Sequence, residues 1–417
     1  MKTGIKYVAF AVAALSAGSL GFAWRDLQSG SGVDSRAVNS LLGVKNAKAA
    51  SPEQVFQQAY NQIRFKYSRQ VKPDDLRFAG MQGLLSSLGD PHTLYFPPRA
   101  AQLFSEETTG NFFGVGARLS DDAMGVRAAA VFEDGPAYAA GLRINDVIIA
   151  VDGKKVGGMP TDAVVLLIKG KEGTFVTLTV AKKGKQQPVT MKIKRARIVA
   201  PTVESKFFED SKVGYIAVSQ FAEPTTMQFD RELDKVDRKS PKGLVIDMRS
   251  NPGGLLDVAA DMLSRFVADK VVVKMVGRNG FNETVRSASN EVRPFGYPVV
   301  VLMDENSASA AEIFAGVLRD YNKATLVGTH SYGKSSVQNV FPLVDKSSAK
   351  VTIAKYYLPS GDDIGRKVDQ DGIYIDGGLK PSVAVELDLD KDPEFGNPKS
   401  DNQLQKAIET VLKQARN

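Results

Sequence analysis

The chain has 417 residues, of which 43% are hydrophobic, enough for packed cores in two or three domains rather than one. Its net charge of +7 comes from basic and acidic residues mixed along the chain, which argues against nucleic-acid binding. Cysteine is absent and only two histidines occur, so disulfides, thiol nucleophiles and cysteine zinc sites are excluded. No metal and no cofactor is predicted.

The first segment has the pattern of an export signal. Lys2 and Lys6 precede an apolar run over residues 7–24, as a charged region precedes the hydrophobic region of a signal peptide. A run of this length can also just span a hydrocarbon core. We therefore predict that residues 1–24 are a cleaved signal peptide or an uncleaved anchor. Residues 25–50, rich in Ser, Gly and Ala, are predicted to be a linker.

Helices are predicted within residues 51–107. The stretch Ser51-Pro-Glu-Gln54 is typical of a helix start, with Ser as the N-cap, Pro at the first position and Gln three residues on. Apolar residues then fall on one helical face, namely Val55, Phe56, Ala59, Tyr60 and Ile63. This face predicts packing or a dimer contact. His92, which follows a turn-forming Asp-Pro, is predicted to be structural.

Residues 108–197 form a predicted unit of short strands. Alternating residues mark strands over 174–180 and 188–193, and helical spacing marks residues 161–168. The order of elements resembles a PDZ domain, most specifically in the stretch from Gly141 to Ile148. The resemblance implies that the backbone amides of one loop bind a peptide's C-terminal carboxylate while the peptide adds as an extra strand. That loop consists of Phe113, Gly114, Val115 and Gly116.

From about residue 200 the pattern changes to alternating strands and helices. Strands are predicted over residues 243–247, 299–303 and 324–327, and a helix over residues 310–321. In such units the loops at the carboxyl ends of the strands tend to carry the site. A last helix, over residues 404–415, has an apolar seam that suits packing or dimerisation.

The candidate chemistry lies in two of these loops. Ser309 stands directly before a predicted helix, and Lys334 follows it 25 positions later in a glycine-rich run. A serine beside a buried lysine pairs a nucleophile with a general base. The helix dipole and the N–H of Ala310 favour a developing oxyanion. A second N–H is expected from Gly253 or Gly254, where the missing side chain lets the backbone approach the substrate.

A lysine base needs a special environment. Because the ordinary pKa of lysine is about 10.4, burial or a neighbouring positive charge must lower the pKa of Lys334 to about 7. Gln338 lies four positions on, so it shares a face with Lys334. Its amide oxygen could accept a proton from the ammonium group and orient it.

Two other interpretations compete with the serine–lysine pair. Residues 328–335 also fit the phosphate-binding pattern GxxxxGK[ST]. That loop requires a helix to begin at Lys-Ser, whereas the residues from Ser335 to Pro342 do not favour one. The other interpretation pairs Ser309 with His330, oriented by Asp247 or Asp304. Spacing alone does not exclude it.

Together these residues resemble the carboxyl-terminal processing peptidases, serine–lysine proteases of the S41 type. The matching stretches are residues 83–92, the PDZ segment, residues 247–254, the Ser309 segment, residues 331–338 and residues 356–361. The resemblance implies that Ser309 is the nucleophile, Lys334 the general base and Gln338 its orienting partner. It assigns the oxyanion hole to Ala310 and one glycine of the 253–254 pair.

The resemblance also implies a fold. A protease core of crotonase-like strand and helix units is expected over residues 198–390, with the β-rich PDZ domain inserted at residues 108–197. Helical segments are expected at the N-terminus, over residues 51–107, and in a C-terminal tail over residues 391–417. His330 has no catalytic role in this scheme.

The sequence as a whole predicts an exported, PDZ-gated serine endopeptidase that cuts proteins near their C-termini through an acyl-enzyme. Its expected location is the bacterial periplasm or cell envelope, with a membrane tether if residues 7–24 are not cleaved. The expected partners are protein substrates with accessible C-terminal tails, further copies of the chain in a homo-oligomer, and an adaptor protein. The alternative is a catalytically silent PDZ scaffold that only binds such tails.

Overall fold

The computed structural model describes residues 50–182, 186–370 and 373–416. The predicted signal or anchor segment, and the predicted linker up to residue 49, lie outside these residues. In the described part of the chain, no helix combines the length and apolar character needed to cross a bilayer.

Helices and strands are mixed throughout. The described helices are α1 (Pro52–Lys66), α2 (Pro73–Ser86), α3 (Pro98–Thr109), α4 (Pro136–Ala139), α5 (Thr161–Ile168), α6 (Thr225–Asp237), α7 (Leu256–Leu263), α8 (Ala310–Asp320) and α9 (Asn402–Gln414), with 3-10 turns at Arg278–Gly280 and Leu389–Lys391. The strands are β1 (Leu94–Phe96), β2 (Asn111–Gly114), β3 (Ala117–Asp122), β4 (Gly125–Val131), β5 (Val147–Val151), β6 (Lys154–Lys155), β7 (Phe175–Ala181), β8 (Val189–Lys194), β9 (Ala196–Val199), β10 (Val203–Phe208), β11 (Val213–Val218), β12 (Gly243–Asp247), β13 (Val271–Gly277), β14 (Asn282–Arg286), β15 (Val299–Met303), β16 (Thr325–Gly328), β17 (Ser336–Pro342), β18 (Ser348–Tyr357), β19 (Lys367–Val368), β20 (Tyr374–Asp376) and β21 (Val383–Ala384).

A first compact unit extends to Met81 and contains α1 and most of α2. The predicted cap of α1 is confirmed, because Ser51 Oγ accepts the Gln54 N–H and Gln54 Oε1 accepts the Ser51 N–H. The predicted apolar face of α1 is present but exposed, and no residue of this helix is buried.

The second unit begins at Gln82. Its β-rich part, residues 111–199, contains strands β2 to β9. Strands β3, β4, β5, β7 and β8 form one antiparallel sheet, with β6 added to β5. Helices α4 and α5 close its apolar core, into which Ala137, Val164 and Ile168 project. Strand β2, which enters this part, pairs antiparallel with β9, which leaves it. The two connections therefore run side by side, as expected of an inserted domain.

The remainder of the second unit has a six-stranded sheet in the order β10-β11-β12-β15-β16-β21. Only β10 is antiparallel to its neighbour, and the other pairs are parallel. Helices α6, α7 and α8 cover one face of this sheet. A second, antiparallel sheet of β1, β13, β14, β17 and β18 packs beside them, and Met275 and Tyr356 bring it into the same core.

The C-terminal helix α9 covers the other face of the six-stranded sheet. Its residues Leu404, Ala407 and Val411 pack with strand residues such as Val245 and Val300. Of the two uses predicted for this seam, the chain itself shows packing, since Leu404 and Val411 are fully buried against the sheet.

Candidate active site

Three neighbouring parallel strands bring the predicted site residues together. Strands β12, β15 and β16 lie side by side, so their carboxyl ends meet at one edge of the sheet. The loop after β12 carries Gly253 and Gly254, the loop after β15 carries Ser309, and the loop after β16 carries Lys334. The sequence analysis expected a site in loops at the carboxyl ends of strands. These residues line one cleft at that edge of the sheet.

Ser309 has an unusual backbone at the start of α8. Its φ of 54° and ψ of −116° lie outside the regions that L-residues favour, at a cost of about 1–3 kcal/mol. Its N–H donates to Glu312 Oε2 at 2.8 Å, which anchors the turn. The side chain is half-buried in the cleft wall, and the following residue, Ala310, is buried.

The loop after β12, residues 248–254, is called the glycine loop, and it lies directly against the Ser309 turn. The Ala308 N–H donates to the Asn251 carbonyl oxygen at 2.9 Å, and a methyl group placed on Gly253 would lie 2.8 Å from Ala310 N. Gly253 also has a φ of 94°, so only glycine fits here without strain. Its N–H donates to Asn251 Oδ1 at 2.8 Å, whereas the Gly254 N–H has no partner among the described residues.

A buried carboxylate joins the serine and lysine loops. Glu312 accepts four hydrogen bonds, from the N–H groups of Ser309, Gly333 and Lys334 and from the hydroxyl of Ser331. Burial raises the pKa of this carboxyl group, and the hydrogen bonds oppose that rise. One side chain therefore sets the distance between the two loops.

Tyr356 holds the lysine loop from the opposite side. This residue is buried, and its hydroxyl donates to the Lys334 carbonyl oxygen at 2.7 Å and lies 3.5 Å from the Ser309 carbonyl oxygen. Neither Glu312 nor Tyr356 was assigned a role from the sequence. The Ser-Ala-Ala-Glu spacing at residues 309–312 is a capping-box signal that could have indicated the carboxylate.

The amine of Lys334 has the environment that a base requires. Burial, with a smaller contribution from the positive charge of Lys350, lowers the pKa of Lys334 to about 8. Glu312 and Asp90 act in the opposite direction. Burial and the charge of Lys334 in turn lower the pKa of His92. The pKa of Lys334 is therefore lowered in the folded chain, in the direction that the sequence analysis predicted.

The cleft has a volume of about 670 Å³ and is open to solvent on one side. Helix α3 contributes Ala101, Phe104 and Thr108 to its lining, and Ile313 and Val337 line it as well. A mostly apolar lining with a few polar groups, here at Ser309 and Lys334, is typical of a binding site.

Gln338 lines the same cleft but has different partners from those expected. Its Nε2 donates to Ser336 Oγ at 2.8 Å and to Thr352 Oγ1 at 3.1 Å. Among the described residues, no hydrogen bond joins Lys334 Nζ to Gln338 or to Ser309 Oγ. The register of β17 against β18 shifts between Val337 and Gln338, and Gln338 thereby lies opposite Thr352.

The two competing interpretations fit the structure poorly. A strand, β17, follows Lys334 where a phosphate loop requires a helix. His330 stacks on Tyr374 with ring centroids 4.4 Å apart, and its Nδ1 lies 2.9 Å from the Ser331 carbonyl oxygen. Its proposed partners are bound elsewhere, since Asp247 binds Arg249 and Asp304 binds Ser307.

The predicted carboxylate loop lies where β2 passes into β3. Phe113 and Gly114 end β2, and Val115 and Gly116 form the turn before β3.

At the far end of α5, Lys169 forms an ion pair of 2.9 Å with Glu106. Because Glu106 is on α3, the β-rich part is tied to the helix that walls the cleft.

The fold and the cleft are those of a serine peptidase with an inserted PDZ domain. A PDZ-domain model matches residues 112–193, and a model of peptidase family S41 matches residues 212–376. The chain belongs to peptidase family S41 and is a serine endopeptidase of the carboxy-terminal processing type. The family resemblance, the fold class and the enzyme class predicted from the sequence are confirmed.

Its relatives cover most of the chain. This chain is 35% identical over 332 residues to the carboxy-terminal processing protease CtpB of Bacillus subtilis. The aligned residues make up 79% of this chain and 67% of CtpB. Identity to CtpA of the same organism is 32% over 351 residues, or 84% and 72% of the two chains. A protein from Bacteroides fragilis described as a candidate S41 protease shares the fold, with a TM-score of 0.50, 17% identity and coverage of 85% and 96%.

Proposed function

We propose that this chain is an exported, PDZ-gated endopeptidase that cuts protein substrates near their C-termini through an acyl-enzyme on Ser309. The observation that carries the proposal is the single cleft that Ser309 and Lys334 both line, together with the lowering of the Lys334 pKa to about 8. At that pKa a useful fraction of the amine is neutral near pH 7 to 8 and can accept a proton.

The reaction follows from these groups. Lys334 Nζ removes the proton of Ser309 Oγ as the oxygen attacks the scissile carbonyl carbon, and the oxyanion forms. The C–N bond then breaks, and the proton passes from Lys334 to the leaving amine. A water molecule, deprotonated by the same lysine, hydrolyses the ester and returns Ser309 to its starting state. No metal or nucleotide takes part.

The oxyanion hole is assigned to the N–H groups of Ala310 and Gly254. The Ala310 N–H begins α8, so the helix dipole adds to its hydrogen bond. Gly254 is favoured over Gly253 because the Gly253 N–H is already bonded to Asn251. Gln338 is proposed to turn its amide oxygen toward the ammonium form of Lys334 when substrate fills the cleft.

The PDZ domain is proposed to bind the substrate's C-terminal carboxylate at residues 113–116 while the chain upstream enters the cleft. We assign residues 108–197 to this domain, 198–390 to the protease core, and the segments 51–107 and 391–417 to helical regions that flank them. Export through residues 1–24 would place the enzyme in the periplasm or cell envelope. There it would act as a homo-oligomer with an adaptor protein.

Cleavage of a loosely folded protein by wild type, Ser309→Ala and Lys334→Ala tests the proposal. Mass spectrometry of the products is expected to show cuts near the C-terminus with wild type only. A fluorophosphonate probe, read by peptide mapping, is expected to label Ser309. Labelling at another serine, or cleavage that survives Ser309→Ala, would reject the dyad. C-terminal tail binding without cleavage or labelling would favour the silent scaffold.

A further inference from the structure

A buried arginine lies behind the glycine loop, outside the dyad and the cleft. The side chain of Arg249 is completely buried. Its Nε donates to Asp247, Nη1 donates to Asp401 Oδ1 and Gln403 Oε1, and Nη2 donates to Asp247 Oδ2 and Asp401 Oδ2. All five N–H groups of the guanidinium are thus used.

The partners of Arg249 come from two distant parts of the chain. Asp247 ends strand β12, whereas Asp401 is the N-cap of the C-terminal helix α9 and accepts the Leu404 N–H at 2.9 Å. The ring of Phe395, also from the C-terminal segment, covers the guanidinium at 3.9 Å. The C-terminal segment therefore encloses the residue with which the glycine loop begins.

The five residues from Arg249 to Gly253 connect this cluster to the backbone beside Ser309. Ser250 follows with a φ of 55°, a left-handed conformation that is costly for a residue other than glycine. Its N–H donates to Asp304 Oδ1 at 2.8 Å, and the loop then runs to Gly253 beside Ser309. A strained loop keeps its course only if both of its ends are fixed.

Stability alone is a weak reason for such a cluster. Burying an ion pair costs as much in lost hydration as it gains in attraction, so apolar residues would stabilise the core at least as well. What an arginine held by two carboxylates adds is a fixed orientation, because the planar guanidinium binds each of them in a defined geometry.

We propose that Arg249 is a positioning residue for the oxyanion-hole loop and that Asp401 of the C-terminal segment fixes it. The N-terminal end of α9 then serves the glycine loop, while the rest of the helix covers the sheet. This role rests on the proposed function, since it acts on the N–H groups assigned above to the oxyanion.

The test is Asp401→Asn. Asparagine keeps a side-chain oxygen for the helix cap but places an NH2 group against Nη2 of Arg249. We expect kcat for a labelled loosely folded protein, and the rate of fluorophosphonate labelling of Ser309, to fall by on the order of tenfold to a hundredfold, with little change in KM. Arg249→Lys is expected to behave alike, because one ammonium cannot bind both carboxylates in this way.

Val411→Ala is the matched control. Val411 is fully buried near the other end of α9 and does not contact Arg249, so the change lowers the melting temperature but should leave kcat near that of wild type. The positioning role is rejected if Asp401→Asn keeps wild-type kcat, or if Val411→Ala loses as much kcat for the same fall in melting temperature. Wild type that takes no label at Ser309 would instead overturn the proposed function, and the positioning role with it.

Discussion

The hydroxyl of Tyr356 donates a hydrogen bond of 2.7 Å to the backbone carbonyl oxygen of Lys334. The bond crosses from the second sheet to the loop that carries Lys334, the proposed general base, and Glu312 binds the N–H of the same residue from the other side. The lysine backbone is thus fixed at both its donor and its acceptor, which leaves the side chain as the part that can move.

Tyr356→Phe should lower both the stability of the fold and the activity. The change leaves the buried Lys334 carbonyl without its partner, at a cost of about 1–3 kcal/mol in the free energy of unfolding. A lysine that is displaced from its working position should lower kcat by roughly tenfold. Tyr357→Phe is the control, since its hydroxyl has no partner among the described residues. Urea unfolding and steady-state kinetics of both variants decide the matter, and equal kinetics would disprove the role of the Tyr356 hydroxyl.

Glu312→Gln should damage both loops at once. Each carboxylate oxygen accepts two hydrogen bonds, so an amide NH2 in either position faces two donors. We expect a loss of several kcal/mol in the free energy of unfolding and at least a hundredfold loss of fluorophosphonate labelling at Ser309. Full labelling of a well-folded variant would show that the dyad needs no such link between its loops.

The pH dependence should report Lys334. Only the neutral amine accepts a proton, so kcat/KM should rise with pH through the pKa of about 8 and level off above it. The groups that act on this amine are Lys350, which lowers its pKa, and Glu312 and Asp90, which raise it. A profile with no ionisation below about 9 would contradict the assignment of the base.

Lys350 offers a separate test of the same environment. Removing its positive charge in Lys350→Met should move the inflection of the kcat/KM profile to higher pH. The ammonium form of Lys334 then loses a repulsive neighbour, so its pKa rises. Lys350→Arg keeps the charge and should keep the wild-type inflection. If the two variants gave identical profiles, the charge of Lys350 would have no part in setting the pKa of Lys334.

Gly253→Ala should abolish activity through one methyl group. The added carbon would lie 2.8 Å from Ala310 N and 2.6 Å from the Ala308 carbonyl oxygen, so the N–H groups proposed for the oxyanion hole must move apart. We expect a loss of at least a hundredfold in kcat. Gly141→Ala is the control, because Gly141 has the same φ of 94° and no atom within 4 Å of the added carbon. Equal losses in both variants would mean that backbone strain, rather than the contact, is responsible.

Much of the local structure could be predicted from the sequence. Strands at residues 243–247 and 299–303 and the helix after Ser309 have the predicted bounds to within one residue, since uniform apolar runs and helical spacing are local signals. Gln338 was expected to bond to Lys334, and its observed partners are Ser336 and Thr352. A register shift in a strand pair is invisible in the spacing of one strand.

Short sequence patterns were enough to identify the side chains proposed to react. Ser309 before a helix and Lys334 in a glycine-rich run are properties of short segments. How these side chains are held became visible in the folded chain, because some of the groups that support them lie far away in the sequence. Tyr356 is 22 residues from the carbonyl group it binds, and Asp401 is 152 residues from Arg249. Hydrogen bonds over such separations depend on how sheets and helices pack, and no local pattern encodes that arrangement.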